Sequence, residues 1–214
     1  MKRALLVLLI LVLCGCTSWR YRTEGEKVFF SIRSWNHDPL DYEVKGADAS
    51  SFRPLRDGYA KDRHRVYLKG DVISGADPAT FQILRDGYSK DSVRVFLGRC
   101  VLPGANPNTW VLLGDYWSRD ARSVFHAQRV IPGAQPETFR YLGRNWALDG
   151  RRAFHHLPLY TEDCDGPDQL RLSIFDDVDP ESFVVVESFK AKDSRREYDA
   201  LRRPIQPAQT TPGS

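Results

Sequence analysis

Four cysteines, five histidines and two groups of aspartates are the side chains in this sequence that could do chemistry. Asp62, Asp91, Asp120 and Asp149 recur at a fixed step of 29 residues. Four carboxylates on one face would suit a hard cation, which takes several oxygen ligands. An Asp that opens a repeated unit more often hydrogen-bonds the backbone of its own turn, and that structural role is the expectation here. The second acidic group surrounds Cys164: Glu162, Asp163, Asp165, Asp168, Asp176, Asp177 and Asp179. Asp163-Cys164-Asp165-Gly166 departs from a calcium-binding EF-hand loop, which needs a further ligand at its fifth position and Gly at its sixth. It is expected to be a solvated acidic loop, and Glu162, Asp163, Asp165 and Asp168 are the candidate partner surface. His155 and His156 are adjacent, so in an extended segment they point to opposite faces and chelate one metal poorly. His37, His64 and His126 share no motif. Gly-x-Ser-x-Gly, His-Glu-x-x-His and phosphate-cradling glycine loops are all missing. The chain is therefore expected to act without a catalytic residue, a metal or a cofactor.

The cysteines divide by position. Lys2 and Arg3 precede an apolar run from Ala4 to Leu13, too short for a membrane-spanning helix, which takes about 20 residues. A charged start and a short apolar centre describe a secretory signal. Leu13-Cys14-Gly15-Cys16 resembles a bacterial lipobox, in which the cut falls after Gly15 and Cys16 carries diacylglycerol. Cys14 departs mildly from the small residue usual there. Thr17 lacks the Asp that holds such proteins at the inner membrane, so the resemblance implies the outer membrane, facing the periplasm. A plain signal peptide with soluble release is the alternative. Two cysteines remain, Cys100 and Cys164, and in an oxidising compartment they are expected to pair; two unpaired buried thiols are the alternative.

Removing residues 1–15 takes away Lys2 and Arg3 and no acid, leaving 29 basic against 28 acidic residues, a net charge of about +1. A nucleic-acid partner, which wants a concentrated basic surface, is not expected. The tail from Arg202 has three prolines and little apolar bulk, a composition that favours disorder. Residues 16–27 are polar enough to be a tether.

What must position these residues is a repeat. Gly46, Gly75, Gly104 and Gly133 keep the 29-residue step, as do Phe52, Phe81, Trp110 and Phe139. Tyr59, Tyr88, Trp117 and Trp146 form another such column, and Tyr67, Phe96, Phe125 and Phe154 a fourth. From Phe139 to Phe183 and from Asp149 to Asp193 the step is 44, so 15 residues are inserted near 155–178. In the copy beginning at Asp62, Val66-Tyr67-Leu68 and Val72-Ile73 are β-prone and Lys69-Gly70 between them predicts a hairpin. Asp77 and Pro78 read as an N-cap and first helical residue, predicting one short helical turn. The unit is then about three strands and a capped turn. One copy cannot stand alone: ordering 29 residues costs on the order of 30–60 kcal/mol in backbone entropy, and three buried rings return about 1.5–3 kcal/mol each. Stacked copies solve this by burying one another's rings. Residues 28–41 and those after Asp193 are the expected caps.

The segments Tyr59-Ala60-Lys61-Asp62-Arg63-His64-Arg65-Val66-Tyr67 and Gly75-Ala76-Asp77-Pro78-Ala79-Thr80-Phe81 resemble the DKNYY repeat family of bacterial envelope and secreted proteins. The resemblance runs from about Gly46 to Tyr198. The Lys-Asn after the Asp is lost here and the first aromatic has become Val. The resemblance implies a repeated β architecture, no settled activity and no catalytic residues.

The expected fold is thus all-β: tandem 29-residue repeats of short antiparallel strands with a capped helical turn per repeat. Residues 1–15 are a signal, 16–27 a tether, 28–200 the repeat domain and 201–214 a disordered tail. The expected role is structural or protein-interacting, with envelope proteins as partners and the membrane reached through the lipid. The alternative is a module that binds peptidoglycan or lipopolysaccharide, with Trp19, Trp35 and Trp110 as stacking candidates; a hydrolase assembled from distant repeats ranks below both.

Overall fold

A step of 29 residues allows several strands of two to four residues joined by tight turns, and that is how the chain is used. The structure, a computed structural model, describes residues 18–34, 37–157, 164 and 171–201. The expected signal, Cys16, the tail after residue 201, Trp35 and the acidic residues Glu162, Asp163, Asp165 and Asp168 lie outside the described residues. The chain divides into two compact units, residues 1–71 and 72–214.

In the first unit β1 (Ser18–Glu24), β2 (Lys27–Ser34) and β3 (His37–Glu43) form an antiparallel meander. β1 thus occupies much of the stretch expected to be a tether. Alternation sorts its residues: Tyr21, Val28 and Phe30 are buried on one face. Arg22 on the other lies over the Phe29 ring and pairs with Glu24 and Asp41. The next sheet contains β4 (Arg53–Pro54), β5 (Tyr59–Lys61), β6 (Val66–Leu68) and β7 (Asp71–Val72), with the division between units falling inside β7. Tyr21, Val28, Phe30 and Val44 share a core with Ala60 and Tyr67.

The second unit holds four sheets. β8 (Gln82–Ile83), β9 (Tyr88–Lys90), β10 (Val95–Leu97) and β11 (Cys100–Val101) form one meander. β12 (Val111–Gly114), β13 (Trp117–Arg119), β14 (Val124–His126) and β15 (Arg129–Val130) form the next. In the third, β16 (Arg140–Gly143), β17 (Trp146–Asp149) and β18 (Arg152–Leu157) are joined by β19 (Arg171–Phe175), which follows the insertion. β20 (Val184–Glu187), β21 (Lys190–Lys192) and β22 (Glu197–Asp199) make the last. A full copy therefore has four strands, one more than expected, because two-residue edge strands leave almost no periodicity to detect.

Within this unit successive sheets pack face to face. Tyr88, Val95 and Leu97 share a core with Trp110 and Phe125 of the next copy. Trp117, Val124 and Ile131 do so with Phe139, Ala147 and Phe154. Trp146, Leu148 and Ala153 do so with Phe183, Ala191 and Tyr198. The expected ring columns are the interior: Phe96 and Phe125 are fully buried, Trp110 is 8% exposed, and Phe81 lies 6.2 Å from Phe96. A further column accompanies the rings. Ala60, Ser89, Ser118, Ala147 and Ala191, at the centres of their sheets, are small and buried, which leaves room for the rings.

The helical turn is overturned. Among the described residues there is no helix. The Asp77 carboxylate accepts from the Ala79 N–H at 3.0 Å and the Thr80 hydroxyl at 2.6 Å, as a cap would. The backbone then makes a single turn, seen in Thr109 N–H to Asn106 O at 3.1 Å, and enters the next strand. Capping residues lower the cost of starting a helix, but a helix gains only by propagation. Here β8 begins at Gln82, two residues after Thr80. Elsewhere the turn chemistry is as expected: Lys69 and Gly70 both adopt positive φ, 51° and 91°, the conformation that suits a two-residue hairpin.

Candidate functional site

Three constellations hold the chemistry-bearing residues: the aspartate turns, the disulfide, and a histidine cluster beside the insertion.

Each column Asp closes a turn and ties it to the turn 14 residues upstream. Oδ2 of Asp62 accepts the Asp48 N–H at 2.9 Å, and Oδ1 accepts His64 N–H and Arg65 N–H at 2.7 Å. The same three bonds recur at Asp91, from Asp77, Val93 and Arg94. They recur at Asp120, from Asn106, Arg122 and Ser123, and at Asp193, from Asp179, Arg195 and Arg196. Asp149 keeps the upstream bond, from Gln135, and adds an ion pair with Arg152 at 2.8 Å. A hydroxyl adds to the tie: Ser51, Thr80, Thr109, Thr138 and Ser182 each accept the N–H of the residue after the Asp. Buried carboxylates are tolerated when such charge-assisted bonds satisfy them. At Asp62 burial pushes the carboxyl upward, but the Tyr67 hydroxyl and the three backbone N–H groups outweigh it and hold it below its ordinary value. The column is a lattice of turns, as expected. No group of three or more metal-ligating side chains occurs among the described residues.

Cys100, in β11, is bonded to Cys164, 64 residues on. The bridge pins the insertion, which leaves from β18 and returns in β19, to the edge of a sheet two layers away. The expected pairing holds.

The histidine cluster was legible only in part. His155 and His156 do face opposite ways along β18. His155 packs on Trp146 at 4.8 Å and donates from Nε2 to the Ser188 carbonyl at 2.8 Å. His156 instead meets His126, with ring centroids 3.5 Å apart, and Trp117 closes on His126 at 4.6 Å. All three imidazoles are at most 3% exposed. Among the described residues, neither ring nitrogen of His126, nor Nδ1 of His156, has a hydrogen-bond partner. Burial, with His156 beside it, holds His126 well below the ordinary histidine value; the Asp115 backbone opposes this only weakly. Burial first, then the charge of His155, pushes His156 down to about 4. The available signal was positional. His126 and His155 occupy the place held by Leu68 and Leu97 in earlier copies, so imidazole replaces leucine where the repeat is about to be interrupted. Such rings serve as neutral core, and no third metal-ligating side chain joins them among the described residues.

Of the proposed sugar-stacking rings, Trp110 is buried and Trp19 is 39% exposed.

A family model, that of the DKNYY family, matches residues 21–156. No curated protein and no solved structure matches the chain. The matched stretch exceeds half of the sequence and takes in the aspartate turns from Asp62 to Asp149, and the same turn returns at Asp193 beyond it; the chain belongs to the DKNYY family.

Proposed function

We propose that this protein is a non-catalytic lipoprotein of the cell envelope, acylated at Cys16 and held at the outer membrane facing the periplasm. Its repeat array plays a structural or interaction role there. The observation that carries the reading is the turn lattice: five copies repeat one set of hydrogen bonds with different exposed residues. That is the organisation of arrays that offer an extended surface to a partner. The Cys100–Cys164 bridge agrees with an oxidising compartment. Glu162, Asp163, Asp165 and Asp168, beside the bridged Cys164 in sequence, are proposed as the partner-binding segment. Fractionation tests the anchor: the parent chain should sediment with outer membranes and incorporate labelled palmitate, and Cys16→Ser should do neither. Unchanged partition of Cys16→Ser would defeat the lipid-anchor reading. Envelope cross-linking with mass spectrometry tests the interaction role, which needs at least one reproducible protein partner.

Sugar binding by ring stacking is the second reading, and the exposed Trp19 favours it. Sedimentation with purified peptidoglycan, lost in Trp19→Ala, would place it first.

A further inference from the structure

The residues that follow each column Asp are the most one-sided in charge of any repeated position. Read from the first to the last copy they are Arg63-His64-Arg65, Ser92-Val93-Arg94, Ala121-Arg122-Ser123, Gly150-Arg151-Arg152 and Ser194-Arg195-Arg196. No acid occurs among them, although the whole chain carries 28. In most copies the Asp takes up the backbone N–H groups of these turns, so the side chains are what they present outward. In the second unit the middle residue is Arg in three successive sheets, and Arg122, Arg151 and Arg195 are all exposed. Arg94, Arg152 and Arg196 flank them, each oriented by a bond to a backbone carbonyl, of Gly75, Gly133 and Asp176. Turns at the other end of the same sheets mix signs, with Arg85, Asp86, Asp115, Arg144 and Glu187.

We propose that Arg122, Arg151 and Arg195, one per layer, form a docking row for a linear acidic polysaccharide. Sheets packed face to face lie about 10 Å apart, a spacing of the order of one disaccharide, so one anionic group per disaccharide would meet one guanidinium per layer. Guanidinium pairs with carboxylate or phosphate through a planar fork, and a row of them gains by multivalency. Two carboxylates compete: Asp177, 3.7 Å from the Arg151 guanidinium, and Asp179, whose charge is felt by Arg195; exposed pairs of this kind are weak and do not neutralise the row. Recognition would be by charge and spacing, with no need of an exposed aromatic face. The inference goes beyond the protein-interaction role proposed above and adds to it a polysaccharide partner read by charge.

The test uses the full chain with hyaluronate, a linear polymer with one carboxylate per disaccharide, and its carboxyl-reduced form as the neutral control. Binding should fall as salt rises. It should weaken on the order of tenfold or more in Arg122→Glu/Arg151→Glu/Arg195→Glu, with circular dichroism unchanged. Arg85→Glu, at the opposite end, should leave it as it was. Equal binding by the triple variant or by the reduced polymer would overturn the row. So would binding to phosphatidylglycerol vesicles with none to the polysaccharide. Loss of the row with protein cross-links retained would sink this inference alone.

Discussion

The sheet of β12 to β15 and the sheet of β20 to β22 are built by the same turns and differ in what one face carries. Asp120 and Asp193 accept the equivalent three N–H groups. Both sheets bury a ring toward the preceding copy, Phe125 in one and Tyr198 in the other. On the opposite face the inner sheet presents Trp117, Val124 and His126, all buried under the next copy. The same repeat positions in the last sheet are Lys190, Glu197 and Asp199. Backbone turns therefore set the shape of a layer, and three side chains decide whether another layer can cover it. Terminal repeats of stacked arrays need such a polar outer face. The first sheet, in the other unit, shows the same device in Arg22, Glu24, Lys27, Asp41 and Glu43 opposite the buried Tyr21 and Phe30.

Paired substitutions would break the comparison most forcefully. Trp117→Ala should cost about 3–5 kcal/mol in urea unfolding, and Lys190→Ala should stay within about 0.5 kcal/mol. Asp120→Ala, which orphans three N–H groups in a half-buried turn, should cost about 3 kcal/mol. Asp193→Ala removes the equivalent bonds where water can replace them, so its penalty should be clearly smaller. Equal losses at the two aspartates would show that burial does not separate the layers.

Acid should act first where His126 of β14 meets His156 of β18. Folded His156 titrates near 4, below the unfolded value of about 6.5, so below that value the unfolded chain binds more protons. Stability is complete above pH of about 6.5 and falls by about 2–3 kcal/mol as pH drops toward 4. The groups around the pair give no relief: Arg119 shares the face, Arg129 lies across from His126, and the Asp115 carboxylate is engaged by the Tyr141 hydroxyl. His126→Leu, restoring the residue of the earlier copies, should flatten this slope by removing one member of the pair. An unchanged slope would place the titration elsewhere. The insertion root at β18 should lose hydrogen-exchange protection before β21 does.

Much of this was legible because the signals recur. The aspartate and ring columns fixed the copies, their step and the interrupted one, and two leftover cysteines sufficed for the bridge. The fourth strand was not legible, because pairs such as Gln82-Ile83 are too short for alternation to show. Asp77-Pro78 misled for a physical reason: capping residues serve any turn with free N–H groups, and only chain length beyond the cap distinguishes a helix. Nothing in local sequence joins His126 to His156; their meeting depends on stacking. The small column at Ser118 escaped notice because Ala and Ser carry no periodic hydrophobic signal.

A smaller effect than those at Trp117 and Asp120 concerns the ring column itself. The Tyr198 hydroxyl donates to Asp193 at 2.5 Å and the Tyr67 hydroxyl to Asp62 at 2.6 Å. Phe96, Phe125 and Phe154 stand at the same position in the copies between. Tyr198→Phe should cost about 1 kcal/mol in thermal unfolding. Phe125→Tyr should change stability by less than that, since Asp120 lies where the new hydroxyl can reach it.

The central claim is that side chains on one face, not the turn lattice, end the stack. Lys190→Trp/Glu197→Val/Asp199→Leu gives the last sheet the face of an inner one and leaves its turns intact. Sedimentation equilibrium should find this variant with a concentration-dependent mass above that of the parent, as uncovered layers associate. A variant that folds, binds no copy of itself and matches the parent mass at every concentration would contradict the account.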